Sequence, residues 1–161
     1  MVNRPKQIGT AGESAVVKAA RTRGFPHAER VVLHGASDKG DIRLTPGLTA
    51  GVIVEVKAGE AARRASDQQV AKWLLETETE RVNAGADVAL LVTARPGIGL
   101  PNAHRWWAHM TVATFLQALG ATGAVTPPAP DAPIRMTFDS ALALLRASGY
   151  GQPLDHEGTM P

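Results

Sequence analysis

The chain has 161 residues, a formal net charge of +2 and no cysteine. That length supports one domain with a real core. The missing thiols exclude disulfides, a cysteine nucleophile and a zinc–thiolate site, which fits a reducing, cytoplasmic location. No apolar run approaches a membrane span, and the N-terminus lacks the apolar stretch of a signal peptide, so no membrane partner is expected.

In chain order, Met1 to Ile8 reads as a loose polar lead. Arg4, Lys6, Lys18, Arg21, Arg23 and Arg30 outnumber Glu13 and Glu29 in this region, a basic surface suited to phosphates. Thr10 and Glu13 have capping-box spacing at the start of a helix running to about Arg23. Ala15, Val16, Ala19 and Ala20 are its apolar side, Gly24 ends it, and Pro26 prevents its return. Glu13 is open to two roles, cap of its own helix or acid of a site. Glu29 to His34 reads as a strand around Val31, Val32 and Leu33. In the polar loop from Gly35 to Gly40, Ser37 and Lys39 are either turn residues or phosphate contacts.

Gly40-Asp41-Ile42-Arg43-Leu44 and Val52-Ile53-Val54-Glu55-Val56-Lys57 read as two strands joined through Thr45-Pro46-Gly47. Side chains alternate, so Val52, Val54 and Val56 point one way and Ile53, Glu55 and Lys57 the other. An acid and an amine on an apolar strand need partners if buried, and Asp41 is placed to join them. Exposed on an edge, they would be an ion pair worth little. Two carboxylates and an ammonium converging on a sheet face can hold a divalent metal beside a scissile phosphate.

Ala58-Gly59 breaks the second strand. Arg63 and Arg64, candidates for phosphate contacts, precede a helix from about Asp67 to Asn83 with Gln68 and Gln69 in its first turn. Asp87 to Thr93 reads as a buried strand. The following loop has a Gly-x-Gly without the strand–loop–helix setting of a nucleotide fingerprint, so no nucleotide cofactor is expected. His104 to Met110 reads as a last strand, with Trp106 and Trp107 open to core, interface or base-stacking roles. Thr111 caps a helix carrying Val112, Phe115, Leu116 and Leu119. Val125 to Pro133 is Pro-rich and extended. Phe138 to Ser148 is an amphipathic helix too short to stand alone, and Gly149 to Pro161 reads as a tail. Residues 1–120 thus form the core; residues 121–161 form a linker, helix and tail packed on the core or on a partner subunit.

Asp41…Glu55-x-Lys57 resembles the motif of the PD-(D/E)xK nuclease superfamily. A leading helix with Glu13, a loop with Ser37, then Asp41, Glu55, Lys57 and a helix with Gln68 or Gln69 is an order similar to that of archaeal-type Holliday junction resolvases and their phage-borne relatives. The resemblance covers roughly residues 9 to 119. Gly40 stands where the superfamily name has Pro. The resemblance implies an α/β fold with a restriction-endonuclease-like core, a central mixed β-sheet flanked by helices. It implies a metal-dependent DNA endonuclease acting on four-way junctions and leaving a 5′ phosphate and a 3′ hydroxyl. Asp41, Glu55, the Val56 carbonyl and Glu13 would hold Mg²⁺ or Mn²⁺. Lys57 would orient or deprotonate the attacking water, or stabilise the transition state, with Gln69 positioning it. Ser37, Lys39, Arg63, Arg64, Lys6 and Arg4 would contact DNA. Paired cuts imply a two-fold homodimer, with the Trp106-Trp107 strand and the C-terminal helix as interface elements. The alternatives are another nuclease of the superfamily, of repair, restriction or exonuclease type, or a catalytically silent DNA-binding protein of the same fold.

Overall fold

The computed structural model describes residues 3–31, 40–47, 51–120 and 131–155. Helix α1 (Arg4–Arg21) is followed by strands β1 (Glu29–Arg30), β2 (Ile42–Arg43) and β3 (Val52–Lys57). Then come α2 (Glu60–Arg63), α3 (Asp67–Ala84) and β4 (Val88–Thr93). A 3-10 turn (Leu100–Arg105) leads to β5 (Trp107–Thr111), α4 (Val112–Ala118), β6 (Pro133–Thr137) and α5 (Phe138–Ala147). The strands form one six-stranded sheet in sequence order. β3 and β4 are parallel, and each remaining neighbouring pair is antiparallel. The architecture is therefore α/β, a mixed sheet flanked by helices. The parallel pair sits at its centre, where runs of branched apolar residues are buried on both faces. No helix among the described residues is long and apolar enough to cross a membrane.

One sheet face carries the main core. Val52, Val54 and Val56 of β3 meet Leu90 and Val92 of β4 there, under Val16 and Ala20 of α1 and Leu142 and Leu145 of α5. The other face carries Ile53, Glu55 and Lys57 beneath α3, as strand parity requires.

Several elements depart from the sequence expectation. α1 begins at Arg4, not beside Thr10. The Asn3 side chain accepts from the Lys6 N–H, and Pro5 occupies the first turn, where its missing N–H costs nothing. Arg4 and Lys6 are thus helical rather than part of a loose lead. Thr10 is no cap: its carbonyl accepts from the Ser14 hydroxyl inside the helix. Gly12 looks like a helix break but is a close approach, since a Cβ there would lie 2.5 Å from the Ala58 Cβ.

His104 and Arg105 belong to the 3-10 turn, and the strand starts at Trp107. Trp106 is fully buried, its indole N–H donating to the Ile98 carbonyl at 2.9 Å. Strand β6 was hidden behind the proline-rich segment, although Ile134 and Met136 alternate with Arg135 and Thr137. Pro133 stands at its first position, where a strand tolerates proline. β6 pairs with β5, so the tryptophan strand is not a free edge. The apolar side of α5 (Phe138, Ala141, Leu142, Leu145) is fully buried in the core. Both elements expected at a dimer interface are therefore used within the chain. The segment after α5 also docks: the Gln152 N–H donates to the Gly24 carbonyl at 2.7 Å, and the Tyr150 hydroxyl to Asp87 at 3.2 Å. It is not a tail up to that point. Most of the Pro-rich segment lies outside the described residues.

Gly40 has φ +83°, which proline, locked near −65°, cannot adopt. A Cβ here would lie 3.2 Å from Ile53 Cδ1. The departure from Pro before Asp41 is therefore built into the backbone. Gly40→Ala is expected to lower stability by about 1–2 kcal/mol, read as a lower urea midpoint. An unchanged midpoint would refute the strain.

Candidate active site

Ile42 pairs with Val54 and Arg43 with Ile53. One step outward, Asp41 stands opposite Glu55, on the face turned away from the core. The Asp41 N–H donates to the Val54 carbonyl at 3.1 Å. Its Oδ2 accepts from the Val56 N–H at 2.8 Å, which fixes the carboxylate against the strand. The Lys57 carbonyl accepts from Ala94 on the β4 side. Carbonyls alternate along a strand, so that of Val56 is directed to the β2 side, where Asp41 lies.

Lys57 Nζ donates to Glu55 Oε1 at 2.6 Å, and the Glu55 side chain is only 8 % exposed. This is not a solvent-facing pair. Glu80 of α3, which sequence reasoning passed over, completes the group: it is buried, and its carboxyl raises the pKa of Glu55. Glu76, Glu78 and Glu80 read as an acidic helix end. The available signal was that Glu80 falls on the same helical stripe as Leu74 and Thr77, both buried.

The electrostatics follow from burial. Desolvation, then the charge of Glu55, pushes the Asp41 carboxyl up to about 7 against the pull of the Val56 N–H, and Glu13 adds to the rise. Burial likewise pushes Glu55 up to about 7, with Lys57 opposing and Glu80 adding. Burial disfavours the Lys57 charge, but the Glu55 hydrogen bond and the charges of Glu55, Asp41 and Glu80 outweigh it and raise its pKa. The consistent state is an ammonium on Lys57 with protons shared among the acids.

Glu13 of α1 acts on Asp41 only through its charge; its Oε2 accepts from Arg30 Nε at 2.6 Å and lies 2.5 Å from Nη2. Gln68 and Gln69 occupy the first turn of α3, where Ser66 Oγ accepts from the Gln69 N–H. The α3 residues that line the depression with Glu55 and Lys57 are Glu76, Thr79, Glu80 and Asn83, about 10 Å or more further along the helix. The structure does not bring the glutamines to Lys57. Arg64 is exposed and paired with Glu60 at 2.6 Å, and Arg63 lies 3.9 Å from the same carboxylate. Arg4 and Lys6 are exposed on α1. Ser37 and Lys39 lie outside the described residues.

Asp41, Glu55 and the Val56 carbonyl are hard oxygen donors of the kind Mg²⁺ and Mn²⁺ prefer. Their fit to a cation is electrostatic: two buried acids that resist ionising together are relieved by a positive ion. Among the described residues no three His, Cys, Asp or Glu side chains converge as a metal-binding group, so such an ion would complete its shell with water. Compared with family models, curated proteins and solved structures, the chain matches none.

Proposed function

We propose that this chain is a metal-dependent DNA endonuclease with a restriction-endonuclease-like core that resolves four-way junctions. One observation carries the proposal: Asp41 and Glu55 face each other across β2 and β3, with Lys57 bonded to Glu55 on the same face. The resemblance to PD-(D/E)xK junction resolvases supports the choice of substrate. A divalent ion at the Asp41, Glu55 and Val56 oxygens would activate a water and offset charge building on the phosphate. Val56 N–H holds Asp41 in place for that ion. Lys57, on a flexible stem, exchanges its bond to Glu55 for one to the water or a phosphate oxygen. Glu13 stands by as a further acid, released from Arg30 when DNA approaches. Arg4, Lys6, Arg63 and Arg64, with Ser37 and Lys39, supply phosphate contacts, and recognition depends on DNA shape more than on base edges. Two matched cuts call for a homodimer acting in the cytoplasm.

The test is a gel assay with Mg²⁺ on synthetic four-way junction, flap and linear duplex. Paired symmetric cuts in the junction alone, leaving 5′ phosphates, are expected. Cutting at flaps or ends would move the chain to a repair or exonuclease role. A second proposal draws on the engagement of Glu55 by both Lys57 and Glu80: a catalytically silent DNA-binding protein of the same fold. Binding by the wild type without any cutting would favour it.

A further inference from the structure

A second depression, about 570 Å³ in volume, lies between the start of α3 and the sheet face formed by β4, β5 and β6. Arg63, Asp67, Thr93, Trp107, His109 and Arg135 line it. The Trp107 ring carries two guanidiniums: the Arg95 Cζ lies 3.9 Å and the Arg135 Cζ 4.7 Å from its centroid. Among the described residues neither arginine forms an ion pair with a carboxylate. Arg95 donates only a long bond, 3.5 Å, to the Arg105 carbonyl. A guanidinium stacked on an aromatic ring keeps its N–H edges available in its own plane, a geometry that matches phosphate oxygens two at a time. His109 shares a hydrogen bond with Thr93 at 3.1 Å and is buried. It is neutral at physiological pH, because burial and then Arg135 lower its pKa. Asp67 is the one acid on the lining, so positive charge predominates.

We propose that Arg95 and Arg135, both set over the Trp107 ring, form a clamp for a phosphodiester of the DNA strand. The choice of DNA as ligand rests on the proposed function; the clamp itself rests on the stacked, unpaired arginines. Its location adds a distance. Lys57, Thr93 and Trp107 are register partners across β3, β4 and β5. Two strand spacings put the clamp about 10 Å from Lys57, on the other flank of the start of α3.

The experiment is salt-titrated anisotropy of a labelled single strand and a labelled duplex, in EDTA so that nothing is cut. The full-length wild type is compared with Arg95→Gln/Arg135→Gln. Losing two phosphate contacts should flatten the log–log salt slope by about 1.4 for the single strand or about 1.8 for the duplex. Affinity should fall at least about tenfold near 0.1 M salt. DNA should also change the tryptophan fluorescence of the wild type, and less so that of Trp107→Phe. Thermal melting of the variants confirms that they fold. Unchanged slope and affinity in the double variant overturn the clamp, as does a wild type that binds no DNA. Inorganic phosphate or a mononucleotide matching the oligonucleotide in fluorescence response would overturn the polymer as ligand. A wild type that binds with the expected slope change but never cuts sinks only the nuclease proposal. A wild type that cuts while the double variant binds normally sinks only the clamp.

Discussion

Lys57→Ala is expected to lower metal-dependent cleavage of a four-way junction by about 10²–10⁴-fold while leaving DNA affinity within about twofold. Among the described residues Lys57 is the one ammonium bonded to the buried acids, at 2.6 Å from Glu55. Its charge is supported by Glu55, Asp41 and Glu80, so it is available to a phosphate or an attacking water at neutral pH. Removing it deletes a charge that matters most where negative charge builds during the reaction. The DNA ground state, held by phosphate contacts spread over the surface, should scarcely notice. Single-turnover rates and anisotropy on the same preparations decide the matter. Retention of cleavage within about tenfold of wild type would remove Lys57 from the chemistry. Loss of binding together with cleavage would make it a docking residue.

The second large effect is a fall in the stability of the metal-free protein as pH rises from about 4 to about 7. Asp41 and Glu55 both titrate at about 7 in the folded state, against ordinary values of 3.8 and 4.5. A raised folded pKa favours the fold where the group is protonated. That contribution is complete below the ordinary pKa and lost as pH climbs through about 7. Each acid alone corresponds to roughly 3–4 kcal/mol, and because the two interact their effects do not add.

His109 acts with the opposite sign. Its pKa is lowered from 6.5 to about 4, so the fold loses stability as pH drops through that window. His109 offsets only part of the acids' trend between about pH 4 and 6.5, and from there to about 7 the acids act alone. Melting temperature without metal should therefore fall as pH rises from about 4, most steeply between about 6.5 and 7, and level off by about pH 8. Mg²⁺ should restore it more at the upper end, by roughly 3 kcal/mol at a hundredfold excess over its dissociation constant. Asp41→Asn should flatten this fall. A metal-free protein that becomes more stable from pH 6.5 to 8 would contradict the shared protons of this site.

The acid–amine group was legible because strand parity is rigid. Once Asp41 and the Val52–Lys57 run are strands, their faces follow, and the pairing of Ile42 with Val54 makes Asp41 and Glu55 neighbours. Glu80 was not legible in the same way. Its spacing from Leu74 and Thr77 offered a signal, but which acid of that helix end is buried depends on how α3 crosses the sheet. The crossing also explains the glutamines: the helix was correctly placed, but a later part of it reaches Glu55 and Lys57. β6 was masked by its neighbours, since a strand of five residues directly after a proline-rich segment gives little alternation to read. The start of α1 was masked by Gly9 and Gly12, which lower helix propensity but allow the close approach to Ala58.

The long reach from α1 to α5 has a consequence for how the molecule comes into being. Arg23 is bonded to Asp139 at 2.6 Å, across 116 positions, and Arg146 donates to the Arg23 carbonyl at 2.9 Å. During synthesis, Asp41, Glu55, Lys57 and Glu80 all emerge before the helix that seals the core beneath them. Closing so long a loop is slow. The nascent chain therefore exposes these four side chains well before it can hold them in register, and the sheet beneath them is sealed only once α5 has been made.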